Sequence, residues 1–155
     1  MIHSCIIVRN SPFGLLPPGV YDATLEEVRV RYAINPRRIA LFKGMESGIE
    51  NLFLSGSPLI YLDGSYITTK PRPDDYEICW DPRFVDPKNL DPIFLDFLEE
   101  RNRQKQKYGG EYFPSTMVEI GSGKAFADYF QKDKHSGAIK GIVRIHNYLT
   151  KGGPI

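Results

Sequence analysis

Two short segments carry the residues whose types and spacing could do chemistry. Residues 61–65 are Tyr-Leu-Asp-Gly-Ser, and Asp75 and Glu77 follow further along the chain with one residue between them. On a β-strand, alternate side chains point to the same face, so Asp75 and Glu77 would project two carboxylates together. Like charges this close repel each other, and a hard divalent cation bound between them relieves the repulsion. The pair therefore predicts a cation site.

Gly64 and Ser65 predict a phosphate contact beside that cation. Gly64 has no side chain, so backbone can approach a ligand closely, and Ser65 offers a hydroxyl and an N–H at the start of the next turn. Taken alone, a Gly-Ser pair is more typical of a turn, and Asp75 and Glu77 could belong to a polar turn before an edge strand. The apolar residues 78–80 instead favour a buried strand, where unpaired carboxylates are costly.

The composition is that of an ordinary globular protein and excludes several function classes. The chain has 155 residues, of which 41% are hydrophobic and 25% charged, which predicts a single domain over residues 1–155. A net charge of +1 gives no global argument for nucleic-acid binding. The cysteines, Cys5 and Cys79, predict reduced thiols and no disulfide framework. Without a signal peptide or an apolar run of about 20 residues, we expect a cytoplasmic protein that does not enter the membrane.

The elements that must position these residues follow from local signals. An extended N-terminal segment of about 22 residues is expected because prolines and glycines crowd residues 11–21. Thr24 and Glu27 form a capping box that predicts a helix over about 25–31. Asn35 followed by proline starts a core helix over about 36–55, whose apolar residues recur at helical spacing.

Further elements complete an α/β or α+β fold in which helices pack on a mixed sheet of about four strands. Asp91 followed by proline predicts the start of a third helix, which a pair of glycines ends at residues 109–110. A fourth helix is predicted over about 124–133, after a Gly-Ser-Gly segment. The expected strands are residues 59–63, 76–80, 111–113 and 139–145.

A strand that ends in Gly64-Ser65, followed by Asp75-x-Glu77 on the next strand, resembles the signature of the nucleotidyltransferase-like fold of the DNA polymerase β superfamily. The pattern is most similar to the minimal prokaryotic members related to the MNT-domain proteins of toxin–antitoxin pairs. Segments 15–20, 61–73 and 140–144 also resemble an uncharacterised bacterial family of that superfamily over nearly the whole chain. The resemblance implies a nucleotidyltransferase-like sheet.

The resemblance also implies roles for the matching residues. Gly64 and Ser65 would hold the β- and γ-phosphates of an NTP. Asp75 and Glu77 would bind two Mg²⁺ ions, of which one grips the triphosphate and one lowers the pKa of the acceptor hydroxyl for in-line attack. Superfamily enzymes add a third carboxylate from a later strand, which completes the second metal site and can act as a base, and Glu111 is our first choice.

Other residues complete this implied site. Glu119 is the alternative third carboxylate, and Glu77 replaces the commoner aspartate while still supplying an oxygen ligand. Lys70 and Arg72 lie on the connection between the two halves of the motif, where they would neutralise triphosphate charge. A basic segment over residues 101–107 is most often a solvated helix face, with an RNA-binding patch as the alternative.

The expected function is transfer of a nucleoside monophosphate from an NTP to a hydroxyl of a protein or an RNA such as tRNA. The alternative is a degenerate nucleotidyltransferase-like module that binds a cognate partner protein, as in a toxin–antitoxin or phage-defence pair. A weaker third option is a nucleotide sensor. A partner chain, or a homodimer formed through the third helix, would supply an acceptor site.

Overall fold

A five-stranded mixed sheet with three helices packed on it forms the fold, in a computed structural model that describes residues 1–116 and 131–149. The strands are β1 (Val20–Asp22), β2 (Leu59–Asp63), β3 (Tyr76–Trp80), β4 (Gly110–Pro114) and β5 (Ile142–His146). The helices are α1 (Leu25–Tyr32), α2 (Pro36–Leu54) and α3 (Leu98–Tyr108), with short 3-10 helices at Ser65–Ile67 and Pro92–Leu95. The predicted α+β class is confirmed.

The spatial order of the strands is β1-β5-β2-β3-β4. Strand β2 runs antiparallel to both of its neighbours, β5 and β3. The outer strands run parallel to the strands they pair with, β1 to β5 and β4 to β3. The sheet is therefore mixed, and β3 is an internal strand with partners on both sides. A polar turn that leads into an edge strand, the alternative for Asp75 and Glu77, is wrong.

Strand β1 is an element that the sequence did not predict. Residues 20–22 were expected to belong to an extended N-terminal segment, but they pair in parallel with residues 142–144 of β5. Residues Ile6 and Leu15 also form an antiparallel bridge, so part of the remaining segment is locally ordered. Three residues are too few to show a period of two, and the partner strand is remote in sequence. The described residues therefore contain five strands where about four were expected.

The starts of α1 and α2 have the predicted caps. The Thr24 hydroxyl accepts a hydrogen bond from the N–H of Glu27 at 3.0 Å, and the Thr24 N–H donates to the Glu27 carboxylate at 3.3 Å. The side-chain oxygen of Asn35 accepts from the N–H of Arg38 at 2.9 Å. These bonds satisfy N–H groups that a helix start otherwise leaves without partners.

The predicted third helix is divided into two elements. Asp91 caps the 3-10 helix Pro92–Leu95, the chain leaves helical geometry, and α3 begins only at Leu98. The first turn of α3 is left-handed, with φ of 50° at Glu99, 56° at Glu100 and 64° at Arg101. The helix ends at Gly109, whose φ of 83° suits a residue without a side chain.

The last two predicted elements of the chain are a fourth helix and a final strand. The expected fourth helix at 124–133 lies mostly outside the described residues, and the part that is described, residues 131–133, is not helical. Lys132 there forms an antiparallel bridge with Ile139. Strand β5 begins at Ile142 instead of residue 139 and extends to His146.

The core lies between the helices and one face of the sheet. Alternate strand residues such as Ile60, Leu62, Ile78 and Val143 are buried in it, together with the apolar side of α2. No helix within the described ranges is long and apolar enough to cross a membrane. The residues between these core positions therefore point to the other face of the sheet, and that face carries the candidate site.

Candidate functional site

Three carboxylates stand side by side on the face of the sheet opposite the helices. Asp63 of β2 pairs in register with Glu77 of β3, and Glu77 pairs in register with Glu111 of β4. Neighbouring strands of a sheet lie about 4.8 Å apart, so the side chains are immediate neighbours. We call Asp63, Glu77 and Glu111 the carboxylate row; Asp75, two residues before Glu77, lies beside it.

The local sequence explains why these carboxylates share a face. On β3, Tyr76 and Ile78 point into the core, so Glu77 and Cys79 point away from the helices. Tyr112 is buried next to Glu111 on β4, which fixes the direction of the Glu111 side chain in the same way. The alternation that buries the core therefore places the acidic residues together on the opposite face of the sheet.

Gly64 brings backbone against this surface. Its φ of 90° and ψ of −169° lie in a region that only glycine adopts readily. A Cβ at this position would lie 3.3 Å from the Glu77 carboxyl group. Ser65 follows as the first residue of the 3-10 helix, and its carbonyl accepts bonds from the Thr68 N–H and hydroxyl. The predicted Gly64-Ser65 pair and Glu77 are thus close together.

Asp63 is the most deeply buried member of the row, with 2% of its surface exposed. The Lys140 ammonium, just before β5, lies 3.3 Å from Asp63 Oδ1, yet within residues 1–116 and 131–149 neither buried carboxylate oxygen has a well-formed side-chain hydrogen bond. Burial raises the pKa of Asp63 to about 6, and the Lys140 charge opposes this shift. Among the described residues, Asp63 therefore has one cationic neighbour and spare acceptor capacity.

Glu111 is held by two cations from α3. The Arg101 Nε donates to Glu111 Oε2 at 2.6 Å, and the Lys105 Nζ lies 3.2 Å from Oε1. The guanidinium of Arg101 also lies over the Phe113 ring, 4.9 Å from its centre. The basic segment of α3 is therefore not a simple solvated face: Arg101 and Lys105 reach the row, while Arg103 and Lys107 pair with other carboxylates.

Among the described residues, the middle of the row has no cationic partner. Burial raises the pKa of Glu77 to about 8, with further contributions from Asp63, Asp75 and Glu111, while Lys140 lowers it. Burial and the neighbouring Glu111 carboxylate raise the pKa of Asp75 to about 6. Both shifts mean that the ionised forms are unfavourable here without an additional positive charge.

Two predicted phosphate ligands, Lys70 and Arg72, have other surroundings. The Lys70 ammonium lies 3.9 Å from Asp74 and 5.9 Å from the centre of the Phe13 ring. Arg72 is exposed on the connection between the 3-10 helix and β3. The structure thus brings Gly64, Asp75, Glu77 and Glu111 together, whereas it places Lys70 and Arg72 on the connection without contacts to the row among the described residues.

That connection is fastened to the start of α2. Arg38 is 2% exposed, and its guanidinium donates to the carbonyls of Tyr32, Tyr66, Thr68 and Lys70. Adjacent Arg37 donates to the carbonyls of Pro73 and Asp74. Two basic residues at a helix start are unfavourable for the helix dipole, and here carbonyl dipoles of the connection compensate them.

Sequence reasoning missed four residues of the site. The sequence motif assigns no role to Asp63, and it does not link Lys140, Arg101 or Lys105 to the carboxylates. Asp63 could have been found, because it is the last residue of a predicted buried strand and directly precedes Gly64. The cationic residues had no such signal. The alternative third carboxylate, Glu119, lies outside the described residues.

The described carboxylates could hold a hard cation only together with other ligands. No group of three or more Asp, Glu, His or Cys side chains in residues 1–116 and 131–149 is arranged to hold a metal ion by itself. Mg²⁺, however, is usually bound by one or two carboxylates together with water and substrate phosphates. The raised pKa values of Asp75 and Glu77, and the spare acceptor capacity of Asp63, fit a cation bound in that way.

The fold and the site define a small α+β protein with a carboxylate row on one face of a mixed sheet. Over residues 9–146 the chain matches a family of unknown function, DUF6932, and it belongs to that family. No curated protein and no solved structure matches the chain.

Proposed function

We propose that the protein is a Mg²⁺-dependent nucleotidyltransferase that moves a nucleoside monophosphate from an NTP to a hydroxyl of a protein or an RNA. The observation that carries the proposal is the register of Asp63, Glu77 and Glu111 on adjacent strands, with the Gly64 backbone against Glu77. The resemblance of Gly64-Ser65 and Asp75-x-Glu77 to the nucleotidyltransferase signature supports the same reaction. A cytoplasmic location completes the proposal, since NTPs and tRNA are available there.

Each residue of the site would have its own role in the transfer. Asp75 and Glu77 would hold Mg²⁺, which when bound neutralises triphosphate charge and lowers the pKa of the acceptor hydroxyl. Backbone N–H groups at Gly64 and Ser65 would orient the β- and γ-phosphates. The acceptor oxygen forms a bond to the α-phosphorus, the bond to the β-phosphate breaks, and pyrophosphate leaves with the electron pair. Glu111 would take the acceptor proton once it is free of its cationic partners.

The decisive experiment uses labelled nucleotides. Purified protein is incubated with each α-labelled NTP and Mg²⁺, with and without bulk tRNA and cell lysate. Label on one acceptor with the wild type, but not with D75N or E77Q, is the expected result. E46Q, a carboxylate change on the exposed side of α2, is the matched control and should retain labelling. Labelling that survives in both D75N and E77Q would refute the mechanism.

A second candidate function is a degenerate module that binds a cognate partner protein. The observation in its favour is that Arg101 and Lys105 occupy the oxygens of Glu111, the proposed third carboxylate. This function predicts a stable complex with the partner and no metal-dependent turnover. Copurification of one defined partner from the native host, with no labelling under any condition, would favour it over the enzyme.

A further inference from the structure

The basic residues of α3 fall into two groups: those that contact Glu111 and those that contact other carboxylates. Arg101 and Lys105 contact Glu111 within the row, at 2.6 Å and 3.2 Å. Lys107, on the same helix, instead lies 2.5 Å from Asp91 Oδ2, at the cap of the preceding 3-10 helix. Lys105 and Lys107 are two residues apart and therefore lie on different sides of the helix, so each reaches a different carboxylate.

The carboxylates at the two flanks of the row have cationic partners. Lys140 pairs with Asp63 at one flank, and Arg101 and Lys105 pair with Glu111 at the other. The row and Asp75 together hold four carboxylates, and three cationic side chains contact two of them. Within the described part of the chain, Glu77 at the centre has no ion pair.

The two flanks differ in how freely their cations could move. The Lys140 side chain is 12% exposed and contacts an aspartate that is almost fully buried. The Lys105 side chain is 36% exposed and extends from a helix surface toward a carboxylate that directly neighbours Glu77. Lys105 can therefore leave its partner for solvent with little rearrangement, whereas Lys140 cannot.

We propose that Lys105, with Arg101 beside it, is an exchangeable counter-ion of Glu111. In the free protein it neutralises Glu111. When a divalent cation binds at Asp75 and Glu77, that cation attracts Glu111 and repels the ammonium, so Lys105 leaves the carboxylate. The released ammonium is then placed to contact the phosphates of a metal-bound nucleotide.

This inference rests on the proposed function. It predicts that Lys105 has opposite effects on the binding of two ligands, the metal and the metal–nucleotide complex. A lysine that competes with the metal must weaken binding of the metal alone. A lysine that contacts phosphate must strengthen binding of the metal–nucleotide complex. A merely structural lysine would change neither affinity, or would change both in the same direction.

The test is a pair of titrations on the full chain, with Mn²⁺ alone and with the Mn²⁺ complex of ATP, followed by calorimetry. K105M should bind Mn²⁺ about three- to tenfold more tightly, because one nearby positive charge is gone. It should bind the Mn²⁺–ATP complex about tenfold more weakly. K107M is the matched control and should resemble the wild type in both titrations. K105Q, which also removes the charge but keeps a polar side chain, should shift both affinities in the same directions and covers the case in which K105M fails to fold.

The outcomes separate this inference from the proposed function. Wild-type protein that binds no Mn²⁺ overturns the proposed cation site and this inference with it. Wild-type protein that binds Mn²⁺ with an affinity that K105M leaves unaltered, or lowers, overturns the exchange alone. Equal effects of K105M and K107M would also overturn it, because they would reflect only the overall charge of the protein.

Discussion

Glu77 and Glu111 lie directly opposite each other in the parallel pairing of β3 and β4. Two acidic side chains in register are unfavourable in a sheet unless something compensates their charge. Glu111 has Arg101 and Lys105 as partners, whereas Glu77 depends on the more distant Lys140. The repulsion between the carboxylates is therefore least compensated at Glu77.

In metal-free protein, stability should fall as the pH rises from about 5 to about 8. Burial and the facing carboxylates Asp63, Asp75 and Glu111 raise the folded pKa of Glu77 to about 8, above its ordinary value of 4.5, and Lys140 only partly opposes them. A raised folded pKa means that the folded state binds more protons, so stability is fully present below the unfolded pKa and lost through the folded one. E77Q should remove about 2 kcal/mol of this loss. Urea unfolding at several pH values in a chelator measures it, and equal pH slopes for E77Q and wild type would contradict it.

Arg38 should be essential for the connection between the halves of the motif. R38M removes the donors to the carbonyls of Tyr32, Tyr66, Thr68 and Lys70, which we expect to cost about 3 kcal/mol in the free energy of unfolding. R37M, which removes bonds at a less buried site, should cost about 1 kcal/mol. Denaturant unfolding compares the two. A smaller effect of R38M than of R37M would show that this network is not what holds the connection.

A glycine at the left-handed start of α3 should reduce the energetic cost of that backbone conformation. Non-glycine residues in this conformation cost about 1 kcal/mol or more each, so E100G should stabilise the protein by about 1 kcal/mol. The same change at Glu50, an exposed residue in the right-handed α2, should destabilise by about 1 kcal/mol. Thermal unfolding of both variants gives the sign. A lower melting temperature for E100G would show that this turn is not left-handed in solution.

Gly64 should tolerate no side chain. G64A places a Cβ at 3.3 Å from the Glu77 carboxyl group in a conformation that alanine adopts poorly, and it should cost about 2 kcal/mol. G137A, at a glycine with φ of 74° and an open surrounding, should cost about 1 kcal/mol because only the backbone term applies. Urea unfolding measures both. Equal costs would mean that contact with Glu77 does not contribute.

The elements that carry local signals were predictable from sequence. Capping residues and apolar spacing predicted α1 and α2 to within a residue at each end, and β2 and β3 have the expected bounds. Glu111 was placed on a strand after the third helix because Gly109 and Gly110 end that helix. In each case the information lies within a few residues of the element.

The features that could not be predicted from the sequence depend on contacts between residues that are distant along the chain. The pairing of β1 with β5, the ion pair of Lys140 with Asp63 and the contact of Arg101 with Glu111 are set by strand order and register. A single sequence shows neither the strand order nor the register. The left-handed turn at Glu99 was equally hidden, because glutamate and arginine favour the right-handed helix in isolation.

The position of β5 has a consequence for how the chain folds. This strand lies between β1 and β2, although it follows both of them by many residues. Until the ribosome has released residue 146, β1 has no partner strand and β2 has one open edge. A nascent chain therefore exposes unpaired strand edges that invite aggregation, and it must close long loops before the sheet is complete. We expect folding to finish only after this segment is synthesised, so that Lys140 reaches Asp63 among the last contacts to form.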